Sequence, residues 1–193
     1  MDSDKRLKER ELIEKVKAGD SQAYYDLVSD YRERLFRKAC SIVGDVDEAE
    51  DLLQEALVSA YLAIHSFRGE SGIYTWLYRI VVNRCRDFLR SSGNRAIPMD
   101  PLDPFSLVVK DFRPGIEKNH EHSEEASYLM DKINSLNGKY KKILLLRYYD
   151  ELSYQEIGEL MKMNIGTVKS RLFKARELLK RMIIADKGES YFE

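Results

Sequence analysis

Proline is scarce in this sequence, and its placement decides the layout. Pro98, Pro101, Pro104 and Pro114 all fall in one stretch, AIPMDPLDPFSLVVKDFRPG. Proline lacks a backbone donor and breaks helices, so the stretch reads as a largely extended linker. Cysteine is scarcer still. Cys40 and Cys85 are two lone thiols, which excludes a disulfide framework and fits a reducing compartment. There is no run of about 18 apolar residues, so no membrane insertion is expected. The opening residues, MDSDKRLKERELIEK, are charged helix without the apolar centre of a signal peptide, and a cytoplasmic protein is expected.

Net charge is nearly absent too, at −1, but the balance conceals a division. From Asp45 to Glu55, DVDEAEDLLQE carries six acidic side chains and no basic one. From Lys169 to Arg181, KSRLFKARELLKR carries six basic side chains and one acid, Glu177. Opposite-sign surfaces suit a protein with two kinds of partner.

What is abundant is helical periodicity. Apolar residues recur at three- and four-residue spacing on both sides of the prolines, with few β-branched runs. The expected fold is all-α: two small helical domains, residues 1–95 and 128–193, joined by a proline-rich linker at 96–127. In the first, a helix from about Leu7 to Lys17 stops at Gly19. A second is capped near Asp20 or Ser21 and ended by Gly44. A third opens at DVDE, where Asp45 and Glu48 have capping-box spacing, and runs to about His65. The loop SFRGE then leads to a fourth helix, capped by Ser71.

Three helix faces carry chemistry. On the third helix, Ala49, Leu52, Leu53, Ala56, Ala60 and Ala63 share the inner side. Asp47, Asp51, Gln54, Glu55, Val58 and Leu62 point away. Those acids suit a solvated helix N-terminus, or with Val58 and Leu62 a docking patch for a basic protein surface. On the fourth helix Leu77, Ile80, Val81 and Phe88 form the core side, with Cys85 near its edge. Arg79, Asn83, Arg86 and Arg90 form a polar stripe, and Trp76 sits at its N-terminal edge. Rings beside cations suit unstacked bases and phosphates, and an amide such as Asn83 can read the edge of an extruded base. Arg84 falls on the apolar side without an account.

The third face lies in ELSYQEIGELMKMNIGTVKSRLFKARELLK, which splits into two helices around MKMNIG. Ser153 and Glu156 form a capping box, and the second helix begins near Gly166 or Thr167. Val168, Leu172, Ala175 and Leu179 face inward. Lys169, Ser170, Phe173 and Lys174 face outward, flanked by Arg171 and Arg176. This is a helix-turn-helix pattern, whose second helix places its N-terminal residues against major-groove base edges. An exposed Phe173 suits contact with a thymine methyl.

FRGESGIYTWLYRIVVNRCRDFL resembles the promoter-melting segment of extracytoplasmic-function (ECF) sigma factors of bacterial RNA polymerase. DVDEAEDLLQEALVSAY resembles their polymerase-docking segment, and ELSYQEIGELMKMNIGTVKSRLFKAREL their −35-reading helix-turn-helix. The resemblance covers nearly the whole chain in the family's order. It implies that Asp51, Gln54, Glu55 and Val58 meet the coiled coil of the polymerase β′ subunit. Phe67, Arg68, Gly69, Glu70 and Ser71 would form the loop that captures a flipped −10 base. Tyr74, Trp76, Tyr78, Arg79, Asn83 and Arg86 would complete the −10 surface. Thr167, Lys169, Ser170, Arg171, Phe173, Lys174 and Arg176 would bind the −35 element. Apolar surface of the second domain would meet the β flap, and an anti-sigma factor is an implied partner.

Two features depart from the family pattern. Asn137-Gly138 stands where a Leu-Pro is common, and His120 and His122 lie in the linker. Without a third ligand those histidines are solvated rather than a metal site, so no metal and no cofactor is expected. The implied chain is not an enzyme. A competing reading, a dimeric helix-turn-helix repressor or activator, explains the second domain but leaves the acidic face and the ring-rich helix without a purpose. A nuclease needs carboxylates or histidines converging on a pocket, and no such set is evident.

Overall fold

A computed structural model describes residues 2–92 and 120–188, with side chains described over 7–92 and 125–188. The four prolines and most of the expected linker lie outside the described residues, as do the side chains of His120 and His122. Among the described residues there are eight α-helices and no strand.

The first unit holds α1 (Asp2–Lys17), α2 (Ser21–Val43), α3 (Val46–Ala63), a 3-10 turn (Ile64–Ser66) and α4 (Ile73–Ser91). Its helix ends follow from side-chain chemistry. Asp20 caps α2 by accepting from the Ala23 N–H at 3.0 Å, and Asp45 caps α3 by accepting from the Glu48 N–H at 3.0 Å. Gly44 ends α2 at φ 82°, a left-handed conformation that glycine adopts without strain. The cap of α4 differs from expectation: Gly72 occupies that position, no side chain caps it, and Ser71 lies outside. Small residues Ala49, Ala56 and Ala60 let α3 approach its neighbours closely. Leu35, Leu53, Leu77, Val81 and Cys85 fill the centre. Burial pushes the Cys85 thiol up to about 12, so it stays protonated at neutral pH, in keeping with a packing role.

The second unit holds α5 (His120–Ser135), α6 (Gly138–Leu144), a π-helical turn (Leu145–Tyr149), α7 (Tyr154–Met161) and α8 (Ile165–Lys187). Helical backbone thus begins at His120, inside the stretch expected to be linker. Asn137 replaces a proline entry by capping α6 from its side chain, which accepts from the Lys139 N–H at 3.3 Å. Ser153 and Glu156 form the reciprocal capping box of α7, and Asn164 caps α8. Ile143, Leu146, Leu152, Ile157, Val168, Leu172 and Ala175 are fully buried.

Beyond the buried Ile183, polar groups hold the far end of α8 to α5. Lys132 pairs with Asp186, and the Lys187 ammonium lies 4.3 Å from the Tyr128 ring centroid. The hydrogen bond from Lys132 holds the Asp186 carboxyl below its ordinary range, and the same bond raises Lys132. A lowered carboxylate stabilises the fold above its unfolded pKa, and that contribution disappears as pH falls through the folded value. The protection of amides in the last turns of α8, relative to their intrinsic exchange rate, is therefore expected to fall on acidification. Asp186→Asn should show low protection throughout and lose the pH dependence of that protection, as hydrogen exchange corrected for the intrinsic rate would record.

Candidate nucleic-acid interface

Between α3 and α4 the chain makes a short loop, residues 67–71, before α4 begins. Phe67 is buried and its ring packs on Trp76, with centroids 5.4 Å apart. That contact anchors one end of the loop to the first turn of α4. Arg68, Gly69 and Glu70 are exposed, and Gly69 turns the chain at φ 73°. Trp76 is half-buried and Asn83, two turns on, is exposed. The Arg86 guanidinium reaches toward the Asn83 carbonyl oxygen from below, at 3.5 Å.

The same helix overturns part of the outward-facing assignment. Tyr74 and Tyr78 are core residues, 3% and 0% exposed. Tyr74 packs against Tyr31 at 5.3 Å and lies under the Arg34 guanidinium at 4.0 Å. Tyr78 lies 5.7 Å from the Lys38 ammonium, and Lys38 is itself buried. Aromatic rings take cations over their faces, so Arg34 and Lys38 of α2 occupy the surroundings in which these two rings were expected to meet DNA bases. Arg86, expected on the polar stripe, is also buried, at 5% exposure. Arg79 is half-buried. Of the rings Tyr74, Trp76 and Tyr78, Trp76 is the one that reaches the surface, half-buried.

The outer face of α3 is as expected. Asp47, Asp51, Gln54 and Glu55 are exposed, and Val58 and Leu62 are exposed apolar residues at 60% and 74%. Two of its carboxylates are held by neighbouring helices. Glu50 pairs with Arg32 of α2, and Glu55 pairs with Arg84 of α4. Arg84, unexplained in its own helix, is explained by α3.

In the second unit α7, a turn and α8 form a helix-turn-helix. Lys162 takes a left-handed conformation at φ 52°, and the Met163 N–H closes the turn by donating to the Gly158 carbonyl at 2.9 Å. Along α8, Lys169, Ser170, Phe173, Lys174 and Arg176 are exposed, with Thr167 and Arg171 half-exposed. Phe173 is 64% exposed. Unlike Arg32 and Arg84, the cations Lys169, Arg171, Lys174 and Arg176 have no carboxylate partner among the described residues. They form an uncompensated positive field around one apolar ring.

The family model for Sigma-70 region 2 matches residues 27–95, and that for Sigma-70, region 4 matches residues 126–179. The sequence is 34% identical over 182 residues to the ECF RNA polymerase sigma factor SigW of Bacillus subtilis (strain 168), spanning 90% of this chain and 96% of the relative.

The chain belongs to the ECF RNA polymerase sigma factors.

Region 2 of this sigma factor is therefore the first unit from within α2 onward, and region 4 is the second unit from within α5 to Leu179. Further similarity runs to the ECF RNA polymerase sigma-E factor of Haemophilus influenzae, 36% identical over 92% of this chain and 96% of the relative. The sigma-E factor of Escherichia coli (strain K12) is 36% identical over 90% and 93%. The sigma-factor fold is seen in CnrH in complex with the cytosolic domain of CnrY, with TM-score 0.59, 20% identity, and 93% and 99% of the two chains covered. It is seen again in the sigma factor RpoE in complex with the anti-sigma factor NepR from Bartonella quintana, with TM-score 0.53, 24% identity, and 85% and 98% covered. No helix among the described residues is long and apolar enough to cross a membrane. Helix α1 and the last turns of α8, including Asp186, lie outside the two family matches.

Proposed function

We propose that this ECF sigma factor docks on core RNA polymerase through the outer face of α3 and carries it to promoters of two-part architecture. Asp51, Gln54, Glu55 and Val58 meet the β′ coiled coil. The loop 67–71 with Trp76 and Asn83 receives the separated −10 strand. Thr167, Lys169, Ser170, Arg171, Phe173, Lys174 and Arg176 meet the −35 duplex. The chain catalyses no reaction; bond formation belongs to the polymerase. It works in the cytoplasm, under an anti-sigma factor that covers the same faces, and apolar surface of the second unit meets the β flap.

The observation that carries this reading is the contrast between the two charged faces. Lys169, Arg171, Lys174 and Arg176 of α8 have no carboxylate partner among the described residues and surround an exposed Phe173, as phosphate and thymine contacts require. The α3 face is acidic and apolar, which phosphate repels and a basic protein surface attracts. A dimeric operator-binding repressor has no use for that second face. Two weak contacts joined by one chain add their binding energies, so neither unit needs high affinity alone.

Run-off transcription with purified core polymerase on genomic promoter fragments tests the proposal. Transcripts from discrete starts that require the chain support it, and their absence at every promoter removes it. A finer test addresses −35 contacts. Lys174→Ala should weaken −35 binding and reduce the slope of log affinity against log salt by about one. An unchanged slope would mean that Lys174 touches no phosphate.

A further inference from the structure

The carboxylates on α3 differ in what holds them. Asp47 and Asp51 are exposed and carry no ion pair among the described residues. Glu55 is held by Arg84, whose Nε–H donates to Glu55 Oε2 at 2.6 Å while a terminal guanidinium nitrogen reaches the same oxygen. Among the described residues Arg84 has no other carboxylate partner, and Glu55 Oε1 has no partner. The two side chains are 47% and 52% exposed. An exposed pair of this kind adds little to folding stability, so a stability role does not explain it. Its location does carry information. Arg84 places a guanidinium on the α3 carboxylate that lies between Asp51 and Val58, where a docking partner must bring its own cation.

We propose that Arg84 is an internal occupant of the docking face, which a cationic side chain of the polymerase displaces from Glu55. The inference rests on the reading of α3 as the docking surface. Asp51, unpaired, makes the first contact. Glu55 is engaged second, by exchange of one cation for another. The exchange leaves no charge uncompensated on Glu55. It also begins without rupture, because Oε1 is open while Arg84 still holds Oε2. Until the exchange, Arg84 repels the incoming cation and weakens docking. The displaced guanidinium stays on α4, one residue from Asn83, so docking changes the charge beside the proposed strand-binding surface.

The test is the affinity of the full chain for core RNA polymerase, with thermal unfolding measured in parallel. Arg84→Ala is expected to bind about two- to fivefold more tightly at low salt, with an unchanged unfolding temperature. Arg84→Lys, which keeps the charge, should stay close to the unaltered chain. In the Glu55→Gln background, Arg84→Ala should have no effect. Asp51→Asn should slow association and lower its salt dependence, whatever stands at 84. Weaker or unchanged binding by Arg84→Ala, with the unaltered chain binding normally, overturns the inference and leaves the docking reading intact. Weaker binding that lysine restores would make Arg84 a positioning residue for Glu55. Failure of the unaltered chain to bind core polymerase removes the docking reading and this inference with it.

Discussion

Gly158→Ala is expected to lower −35 binding about tenfold or more while polymerase docking through the first unit survives. In most helices this exchange stabilises, by about 1 kcal/mol. Here a Cβ at position 158 would stand 2.7 Å from the Met163 carbonyl oxygen and 3.8 Å from the Val168 side chain. The near atom is backbone, and it belongs to the turn that Gly158 itself closes by accepting from the Met163 N–H. The turn must open to admit a methyl group, which costs about 1–3 kcal/mol and re-aims α8. The readouts are a mobility-shift assay on −35 duplex and a pull-down with core polymerase. Gly138→Ala is the control, since a Cβ there meets nothing within 4 Å. Equal −35 binding by the two variants would mean that α7 and α8 are less closely docked than their geometry indicates.

Trp76→Ala is expected to reduce promoter opening roughly 10- to 100-fold with recruitment to a duplex −35 site unchanged. A ring that stacks on an unpaired base contributes about 1–3 kcal/mol. Trp76 has a second role that adds to the loss, because its ring packs on Phe67 and so anchors the loop 67–71. Trp76→Phe keeps an aromatic contact with Phe67 and should retain more opening than alanine. Permanganate reactivity of −10 thymines measures the effect. Normal reactivity in the alanine variant would remove Trp76 from the strand-binding surface. The burial of Tyr74 and Tyr78 sharpens this test, since the outward stacking in α4 then falls on one residue.

The local determinants of the helices were legible because they act within a few residues. Asp20, Asp45 and the Ser153–Glu156 pair each cap a helix from their own neighbourhood, and Gly44 ends α2 by its own conformation. Ser71 misled because a serine before a helix is a frequent cap, whereas the chain enters α4 one residue later, at Gly72. The wheel of α3 held because one side packs on its neighbours and the other stays exposed, even where Arg84 reaches across to Glu55. Arg86, which the wheel of α4 set on the polar stripe, and Tyr74 and Tyr78, assigned to the −10 surface by resemblance, are buried because a neighbouring helix covers more of α4 than the apolar stripe suggests.

Sequence alone determined the helical class, the caps at Asp45 and Ser153, the acidic and basic faces and the helix-turn-helix with its outward Phe173, since each depends on residue type at short spacing. Tertiary structure decided which rings and cations of α4 are surface and which are core, and it gave Arg84 its partner. The physical reason is that a helix wheel orients a side chain about its own axis only. Whether the space it points into holds water, Lys38 of α2 or Glu55 of α3 depends on residues distant in the chain.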